Sequence, residues 1–426
     1  MLLVAVLNGR SVGHIHQDRR GRFRFVYDEA WRGDPDAYPI SLSLPLASPE
    51  HTHAEVNAYL WGLLPDNDRT LQHYGRRFGV SAGNPAALLA HLGADCVGAI
   101  QFAAPDATDA ILGRDAANDQ VEWLTESQVA DELRTVRTRG APNAGPHGTG
   151  QFSLPGAQPK TALLFENGRW GRPAGRIPTN TILKPPTGQF DGFAENEHIC
   201  LEFARRVGLD AVNSRVMRFD EEIAIVVDRY DRTRRRGERI RIHQEDICQA
   251  LGVMPALKYE SEGGPGVRDI VALIRLTSKR AEEDVDRFVD ATILNWILAA
   301  TDAHAKNYAL LHGPGGVSRL APFYDIASYL PYADAQLHRV KLAMRIGNEY
   351  LVRRIGRVHW QELAKSLGMR MTVMEARIDR LIASVMASLD HVRATAIDGG
   401  LDPAVVRPLV DAVRRRTAEC QRLMRP

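Results

Sequence analysis

Hydrophobic residues occur along this chain in short runs that are separated by polar or glycine-rich segments. The run at residues 291–300, ATILNWILAA, is too short to cross a bilayer and predicts a helix buried in a globular core. A polar segment, TDAHAKN at residues 301–307, follows it directly. We therefore expect a buried helix to hold a polar loop at its end.

The first part of the chain alternates short strand-like and helix-like patterns. Residues 1–7 are mostly apolar, and the Asn8-Gly9 pair that follows them favours a type I′ hairpin. The same alternation predicts further strands at residues 11–16 and 23–27 and a helix at residues 54–64. We expect residues 1–136 to form a separate α/β domain.

The composition changes after this domain. Residues 138–150 are rich in glycine and proline, which support neither a helix nor a central strand, so we expect a linker at residues 137–150. Apolar strands then predict a small lobe at residues 151–243, and amphipathic patterns predict a helical lobe at residues 244–426. The glycine-rich segment at residues 262–266 predicts only a loop.

Composition and charge narrow the possible functions. The 426 residues include 54 Lys+Arg and 52 Asp+Glu, and a net charge of +2 gives no bulk attraction to nucleic acid or membranes. The four cysteines form no C-x-x-C pair, which argues against a zinc or redox motif and suits a reducing cytosol. The N-terminus lacks the basic region and cleavage site of a signal peptide. These features predict a cytoplasmic protein without a membrane partner.

The candidate chemistry is concentrated in and after the polar loop. Asp302 precedes Asn307 by the spacing at which protein kinases place a catalytic aspartate and a metal-binding asparagine. A second carboxylate, Asp325, follows in the string APFYDIAS. Phosphoryl transfer needs one oxygen to orient the nucleophile, and an amide oxygen with a carboxylate to hold Mg²⁺. Asp302 alone could be a helix-end polar group and Asp325 an N-cap, but the two full strings together favour a phosphotransferase.

Several further strings occur in the order found in a known family. They are SLSLPL at residues 41–46, LLPD at 63–66, PGAQPKTAL at 155–163, QED at 244–246, YESEGGPG at 259–266 and the polar loop. On these strings the chain resembles HipA, the serine/threonine kinase toxins of bacterial type II toxin–antitoxin modules. The resemblance implies an α/β (α+β) bilobal, protein-kinase-like fold with an additional N-terminal α/β domain and a mostly helical C-terminal lobe. It also implies that ATP binds between the two lobes.

The resemblance assigns roles to individual residues. It implies that Ser153 matches the autophosphorylated serine of the family and that Lys184 matches the ATP-binding lysine. The implied phosphate-covering loop consists of Pro155, Gly156, Ala157, Gln158, Pro159 and Lys160. The positions that resemble adenine-facing residues are Asp228, Arg229 and Tyr230. In the helical lobe the implied nucleotide-binding residues are His304, Ala305, Lys306, Asn307, Tyr324 and Asp325, with Asp302 as the catalytic residue and Asn307 and Asp325 as metal ligands.

The expected cofactors are therefore ATP and Mg²⁺. The resemblance further implies that the target is an aminoacyl-tRNA synthetase, such as glutamyl-tRNA synthetase, whose phosphorylation stops translation and favours persistence. It implies a HipB-like helix-turn-helix antitoxin as partner, with which the protein acts as a corepressor at operator DNA and becomes nucleoid-associated. A phosphate on Ser153 would bring close to two negative charges and should expel the loop from the ATP phosphates.

Two other function classes stay open on the residues alone. A small-molecule phosphotransferase of the antibiotic type would share Asp302, Asn307 and Asp325, whereas a non-enzymatic repressor subunit would not need Asp302. The basic cluster at residues 232–241 fits a solvated hairpin better than a nucleic-acid patch. The N-terminal histidines lack acidic or thiolate partners at ligand spacing, so we predict no metal site there.

Overall fold

A computed structural model of the chain describes residues 1–113, 119–142, 152–188, 192–332 and 334–425. The chain forms two compact units, each assembled from separate stretches of sequence. The first unit contains Met1–Thr187, Met217–Ala256 and Ala309–Ser318. The second unit contains Gly188–Val216, Leu257–Tyr308 and Arg319–Pro426. Most of the linker predicted at residues 137–150 lies outside the described residues, as does residue 151.

The first unit begins with a five-stranded antiparallel sheet. Its strands are β1 (Leu2–Leu7), β2 (Arg10–Gln17), β3 (Phe23–Tyr27), β4 (Glu50–His51) and β5 (Ile100–Ala103), in the order β4-β3-β2-β1-β5. The predicted hairpin is confirmed, because Asn8 and Gly9 have φ values of 47° and 76°, as a type I′ turn requires. The helices of this region are α1 (Glu29–Arg32), α2 (His53–Gly62), α3 (Asp68–Phe78), α4 (Pro85–Leu92) and α5 (Thr108–Leu112). Residues of the sheet, α2 and α4 share one apolar core.

A six-stranded sheet follows. Its strands are β6 (Val121–Leu124), β7 (Thr161–Glu166), β8 (Arg169–Pro173), β9 (Thr181–Lys184), β10 (Ser214–Phe219) and β11 (Glu222–Asp228), in the order β10-β11-β9-β7-β8-β6. Helix α6 (Glu126–Arg139) packs Val129 and Leu133 on this sheet and extends into the predicted linker. Helix α7 (Phe193–Arg206) lies between β9 and β10 in sequence but belongs to the second unit. The apolar strands predicted within residues 151–243 are confirmed, including β9, which ends at Lys184, and β11, which ends just before Arg229.

A hairpin of β12 (Arg232–Arg235) and β13 (Glu238–Arg241) leads away from this sheet. The tip of the hairpin is exposed as predicted. The prediction that its basic side chains are solvated was wrong for Arg232 and Arg241, whose side chains are buried. The guanidinium groups of Arg232 and Arg241 lie 2.9 and 3.5 Å from the Asp95 carboxylate. The Arg229 guanidinium lies 2.8 Å from the Asp231 carboxylate. Buried charges are tolerated when they are paired, so these residues form an ionic cluster inside the first unit.

A small sheet of β14 (His243–Asp246), β15 (Ala309–Gly313) and β16 (Val317–Leu320) completes the first unit, and α8 (Ile247–Ala250) follows β14. The part of the chain predicted to be helical from residue 244 therefore starts with strands. His312 lies 2.9 Å from the Glu245 carboxylate, which also accepts a hydrogen bond from Ser41 at 2.5 Å. These contacts explain why β15 belongs to the first unit although it directly follows the polar loop.

The second unit is mostly helical. It contains α7, α9 (Val267–Thr277), α10 (Ala281–Leu298), a hairpin of β17 (Lys341–Ile346) and β18 (Glu349–Leu351), and the helices α11 (Arg357–Ser366), α12 (Met371–Asp398) and α13 (Pro403–Leu423). The predicted buried helix is confirmed as the C-terminal half of α10, where Trp296 packs edge to face on Trp360 at 5.4 Å. Over the described ranges, no helix is long and apolar enough to cross a membrane.

Candidate active site

The polar loop is held by backbone hydrogen bonds. Helix α10 ends at Leu298 and is capped by Ala299, which is left-handed with a φ of 49°, and the Ala299 carbonyl accepts the Tyr329 N–H at 3.1 Å. The Asp302 carbonyl then accepts two hydrogen bonds, from the His304 N–H at 2.8 Å and from Asn307 Nδ2 at 2.7 Å. The loop thus closes into one turn that brings Asp302 and Asn307 together.

Asp302 presents its carboxylate to solvent from this turn. Its side chain is 66% exposed, and its Oδ1 accepts a hydrogen bond from the Tyr259 hydroxyl at 2.5 Å. His304 Nε2 lies 3.9 Å from the same oxygen. Burial lowers the pKa of His304, so its imidazole is neutral near pH 7. An exposed carboxylate with one oxygen anchored can accept the proton of an approaching hydroxyl.

Asp325 is placed beside the loop by the segment that precedes it. The Tyr324 hydroxyl donates to the Lys306 carbonyl at 3.0 Å, and Phe323 forms an isolated parallel bridge with Ala211. Asp325 has a φ of 58°, in the left-handed region that few residues other than glycine, asparagine and aspartate adopt. Backbone strain of this kind clusters at functional sites.

Two buried residues that sequence reasoning missed position the end of this segment. Asn196 in α7 donates to the Ser328 carbonyl at 2.7 Å and accepts the Ser328 N–H at 2.9 Å. The Ser328 hydroxyl donates to the Leu298 carbonyl at 2.6 Å. A polar residue among the apolar positions of α7 was the available signal, but it matched no motif. These bonds tie the Asp325 segment to α7 and to the end of α10.

Asn307 and Asp325 offer oxygen atoms that suit a hard divalent cation. Because Asn307 Nδ2 is used on the Asp302 carbonyl, Asn307 Oδ1 is the amide atom left for a ligand. Within the described part of the chain, no group of three or more His, Cys, Asp or Glu could hold a metal by itself. Magnesium in phosphoryl-transfer sites is usually bound by one or two carboxylates, waters and substrate phosphates. The donor set therefore fits a Mg²⁺ ion that a nucleotide helps to bind.

The predicted phosphate-covering loop lies in the first unit and rests on the N-terminal region. Gly156, with a φ of 107°, forms a parallel bridge with Pro65, and its carbonyl accepts the Asp66 N–H at 3.1 Å. Lys160 Nζ reaches back to the Pro155 carbonyl at 2.7 Å. These bonds hold the loop as a tight turn against residues that follow α2.

Ser153 is enclosed at the start of this loop. The residue is 1% exposed, its hydroxyl donates to the Leu63 carbonyl at 2.7 Å, and its N–H donates to the Asp95 carbonyl at 3.0 Å. Phe152 and Leu154 on either side are also buried. A hydroxyl so enclosed can accept a phosphoryl group only after the loop leaves the Leu63 carbonyl.

Lys184 and the three residues predicted to face adenine also belong to the first unit. Lys184 ends β9 and is 7% exposed, and Asp228 ends β11. The Arg229 side chain is held in the ionic cluster, and its N–H donates to a backbone carbonyl at 2.9 Å. The Tyr230 hydroxyl hydrogen-bonds to Gln244. The adenine contact predicted for Asp228, Arg229 and Tyr230 involves backbone groups and stays a prediction.

Comparisons with known proteins indicate the same family along most of the chain. Residues 152–389 match the family model of a HipA-like C-terminal domain, and residues 3–103 match that of a HipA N-terminal domain. Y4mE of Sinorhizobium fredii, which is named as a kinase, is 36% identical over 420 residues that cover 97% of this chain and 98% of its own. The serine/threonine-protein kinase toxin HipA of Shewanella oneidensis is 26% identical over 386 residues, or 87% and 84% of the two chains.

A solved structure has the same fold. The Shewanella oneidensis HipA, in a complex with HipB and its operator DNA, superposes with a TM-score of 0.83 at 24% identity, covering 99% of this chain and 97% of that one. The predicted fold class is thereby confirmed, including the helical C-terminal region.

Proposed function

The chain belongs to the HipA family of toxin kinases, and from that premise we propose that it transfers the γ-phosphoryl group of ATP to serine or threonine hydroxyls of a protein. The observation that carries this proposal is the closed turn at residues 302–307. The turn fixes the Asp302 carbonyl with two hydrogen bonds while its carboxylate stays 66% exposed. That carboxylate can orient an acceptor hydroxyl and take its proton.

The remaining roles follow from the chemistry of each side chain. Asn307 Oδ1 and the Asp325 carboxylate hold Mg²⁺, which when bound offsets the negative charge of the phosphates. The Lys184 ammonium and the backbone N–H groups of the non-proline residues in 155–160 bind phosphate oxygens. Asp228, Arg229 and Tyr230 offer backbone groups to adenine. The other nucleotide-binding residues that we assign are His304, which is neutral, Ala305, Lys306 and Tyr324.

The proposal extends to regulation and partners. The Shewanella relative was solved with HipB and operator DNA, so we assign this chain a HipB-like antitoxin and operator DNA reached through that antitoxin. Its substrate is an aminoacyl-tRNA synthetase, such as glutamyl-tRNA synthetase, whose modification stops translation and favours persistence. Ser153 is the autophosphorylation site. A phosphate there would bury close to two negative charges beside the Leu63 carbonyl, which offers no compensating donor, and would expel the loop.

The test incubates the purified protein with labelled ATP and Mg²⁺ in a host lysate and maps the phosphopeptides. We expect label on a synthetase and on Ser153. Asp302→Asn should reduce incorporation by about 10²–10⁴-fold, since a general base contributes that much. Asp398→Asn removes the same charge from an exposed position at the end of α12 and should keep full activity. Label found only on small molecules, or on nothing, would reject the proposal.

A further inference from the structure

The string YESEGGPG at residues 259–266, which the sequence identified only as a loop, folds into a tight turn in the second unit. The Tyr259 carbonyl accepts the N–H groups of Glu262 and Gly264, each at 3.0 Å. A Cβ at Gly264 would lie 1.9 Å from the Leu257 carbonyl oxygen, and one at Gly266 would lie 2.4 Å from a Glu260 carboxylate oxygen. Close packing around Tyr259 and Glu260 therefore requires the glycines.

The turn is fastened to the β17–β18 hairpin. One Glu260 oxygen accepts the Arg345 N–H at 2.7 Å, and the other lies 2.9 Å from the Arg345 guanidinium. Burial raises the pKa of Glu260, although the Arg345 contacts oppose this shift. Glu260, the residue directly after Tyr259, is thus held by both the backbone and the side chain of Arg345.

Tyr259 faces the polar loop. Its hydroxyl donates to Asp302 Oδ1 at 2.5 Å, and its ring packs edge to face on His304, with ring centres 5.0 Å apart. The neighbouring Lys258 carbonyl accepts the Ala305 N–H at 3.4 Å. The turn and the residue before it therefore contact the loop at three positions, 302, 304 and 305.

We propose that Tyr259 is a positioning residue for the phosphoryl transfer, an inference that rests on the function proposed above. Its hydroxyl fixes Asp302 Oδ1, so that Oδ2, which carries no hydrogen bond within the described ranges, faces the acceptor hydroxyl. An exposed aspartate without this bond rotates freely about its side-chain torsions. Tyr259 acts through Asp302 and does not itself exchange a proton with the substrate.

Tyr259→Phe tests this proposal because it removes one oxygen and keeps the ring on His304. We expect kcat to fall by about 10- to 100-fold, as misplacement of a reacting group does, while the KM for ATP and the melting temperature stay unchanged. Tyr350→Phe removes the same atom from β18 in the same unit and should keep the wild-type kcat.

A second measurement separates positioning from a general structural effect. In the Asp302→Asn background, Tyr259→Phe should cause no further loss, since residues that act as one unit are not additive. An unchanged kcat in Tyr259→Phe, or the same fold loss in both backgrounds, would overturn the inference. A mass spectrum with phosphate on Tyr259 would also overturn it, because the hydroxyl would then be an acceptor.

These outcomes are distinguishable from failure of the proposed function. A wild-type protein without protein kinase activity would overturn both proposals. An active wild type with an equally active Tyr259→Phe variant would overturn only the role of Tyr259.

Discussion

Asp302 and Ser153, the proposed base and the proposed autophosphorylation site, differ sharply in their access to solvent. The Asp302 side chain is 66% exposed, whereas Ser153 is 1% exposed and hydrogen-bonded to the Leu63 carbonyl. Modification of Ser153 therefore requires an opened loop, and the added charge then keeps the loop from returning. A phosphate on Ser153 would therefore make a transient opening of the loop persist.

Two substitutions at Ser153 should separate the effect of losing the hydroxyl from the effect of adding a negative charge. Ser153→Ala loses one hydrogen bond and should still phosphorylate the protein target, because no charge enters the buried site. Ser153→Asp places an unpaired carboxylate beside the Leu63 carbonyl, and burial of such a charge costs several kcal/mol, enough to displace the loop. We expect the KM for ATP to rise by roughly 10-fold or more, a penalty of at least about 1.4 kcal/mol in binding.

Ser48→Asp is the matched control for this charge, since Ser48 is exposed in the same unit. It should bind ATP like the wild type. Equal ATP affinity in Ser153→Asp and Ser48→Asp would show that the enclosed position of Ser153 has no bearing on nucleotide binding.

Among structural elements, the β12–β13 hairpin depends on the ionic cluster. Burial alone would raise the pKa of Asp95, but the guanidiniums of Arg232, Arg229 and Arg241 outweigh burial and hold the pKa below its usual range. Asp95→Asn would leave Arg229 and Arg232 with Asp231 as their carboxylate partner and would remove the carboxylate that pairs with Arg241. Loss of one partner from a buried ion cluster costs about 3–5 kcal/mol, which urea unfolding of the variant would measure.

Asp18→Asn provides the comparison for Asp95, because it removes an equal charge from an exposed ion pair with Arg22. Exposed pairs contribute little, so its unfolding midpoint should match that of the wild type. If Asp95→Asn unfolds at the same urea concentration as Asp18→Asn, the cluster does not stabilise the first unit.

The elements that the sequence predicted well are those whose pattern is local. The Asn8-Gly9 hairpin and the buried end of α10 need only neighbouring residues, and the turn that joins Asp302 to Asn307 spans a few positions. The ionic cluster was not predictable, because Asp95 and Arg232 meet only after the chain has folded, and isolated charges are normally solvated.

Within the site, Tyr259 escaped prediction for a similar reason. Its link to Asp302 joins residues separated by 43 positions, and tyrosine before a glycine-rich string has no general chemical meaning. Asp325 was singled out as a second carboxylate in the string that follows the polar loop, whereas its left-handed backbone was visible only in the structure.

At the scale of the whole molecule, His243 joins separate stretches of the chain. Its Nε2 lies 2.9 Å from the Ile40 carbonyl, so Nε2 carries the proton, and Nδ1 accepts the Ala99 N–H at 3.4 Å. Burial, together with a smaller effect of nearby His312, lowers the pKa of His243 to about 3. A second proton on Nδ1 would oppose the Ala99 N–H, so the neutral ring is the form that fits.

This arrangement predicts a pH-dependent stability. The folded pKa is about 3 and the unfolded pKa is the ordinary histidine value of 6.5, so the unfolded state binds the extra proton. The contribution of His243 is complete above the unfolded value and is lost as the pH falls towards the folded one, at about 1.4 kcal/mol per pH unit. Urea unfolding at several pH values across this window should show a smaller slope for His243→Gln than for the wild type.

His391→Gln, on the exposed side of α12, is the control and should keep the wild-type slope. A His243→Gln slope equal to that of His391→Gln would mean that other groups determine the acid sensitivity.

The chain passes repeatedly between its two units, and this order determines when the first unit can fold during synthesis. The polar loop leaves the ribosome before β15, and β15 brings the His312 contact to Glu245 in the first unit. Domains fold as units during synthesis at about 5–20 residues per second, so the first unit closes only after the loop has emerged. A nascent chain released by a stalled ribosome before residue 309 therefore lacks both a complete first unit and Asp325, so interrupted translation would leave the proposed site unfinished.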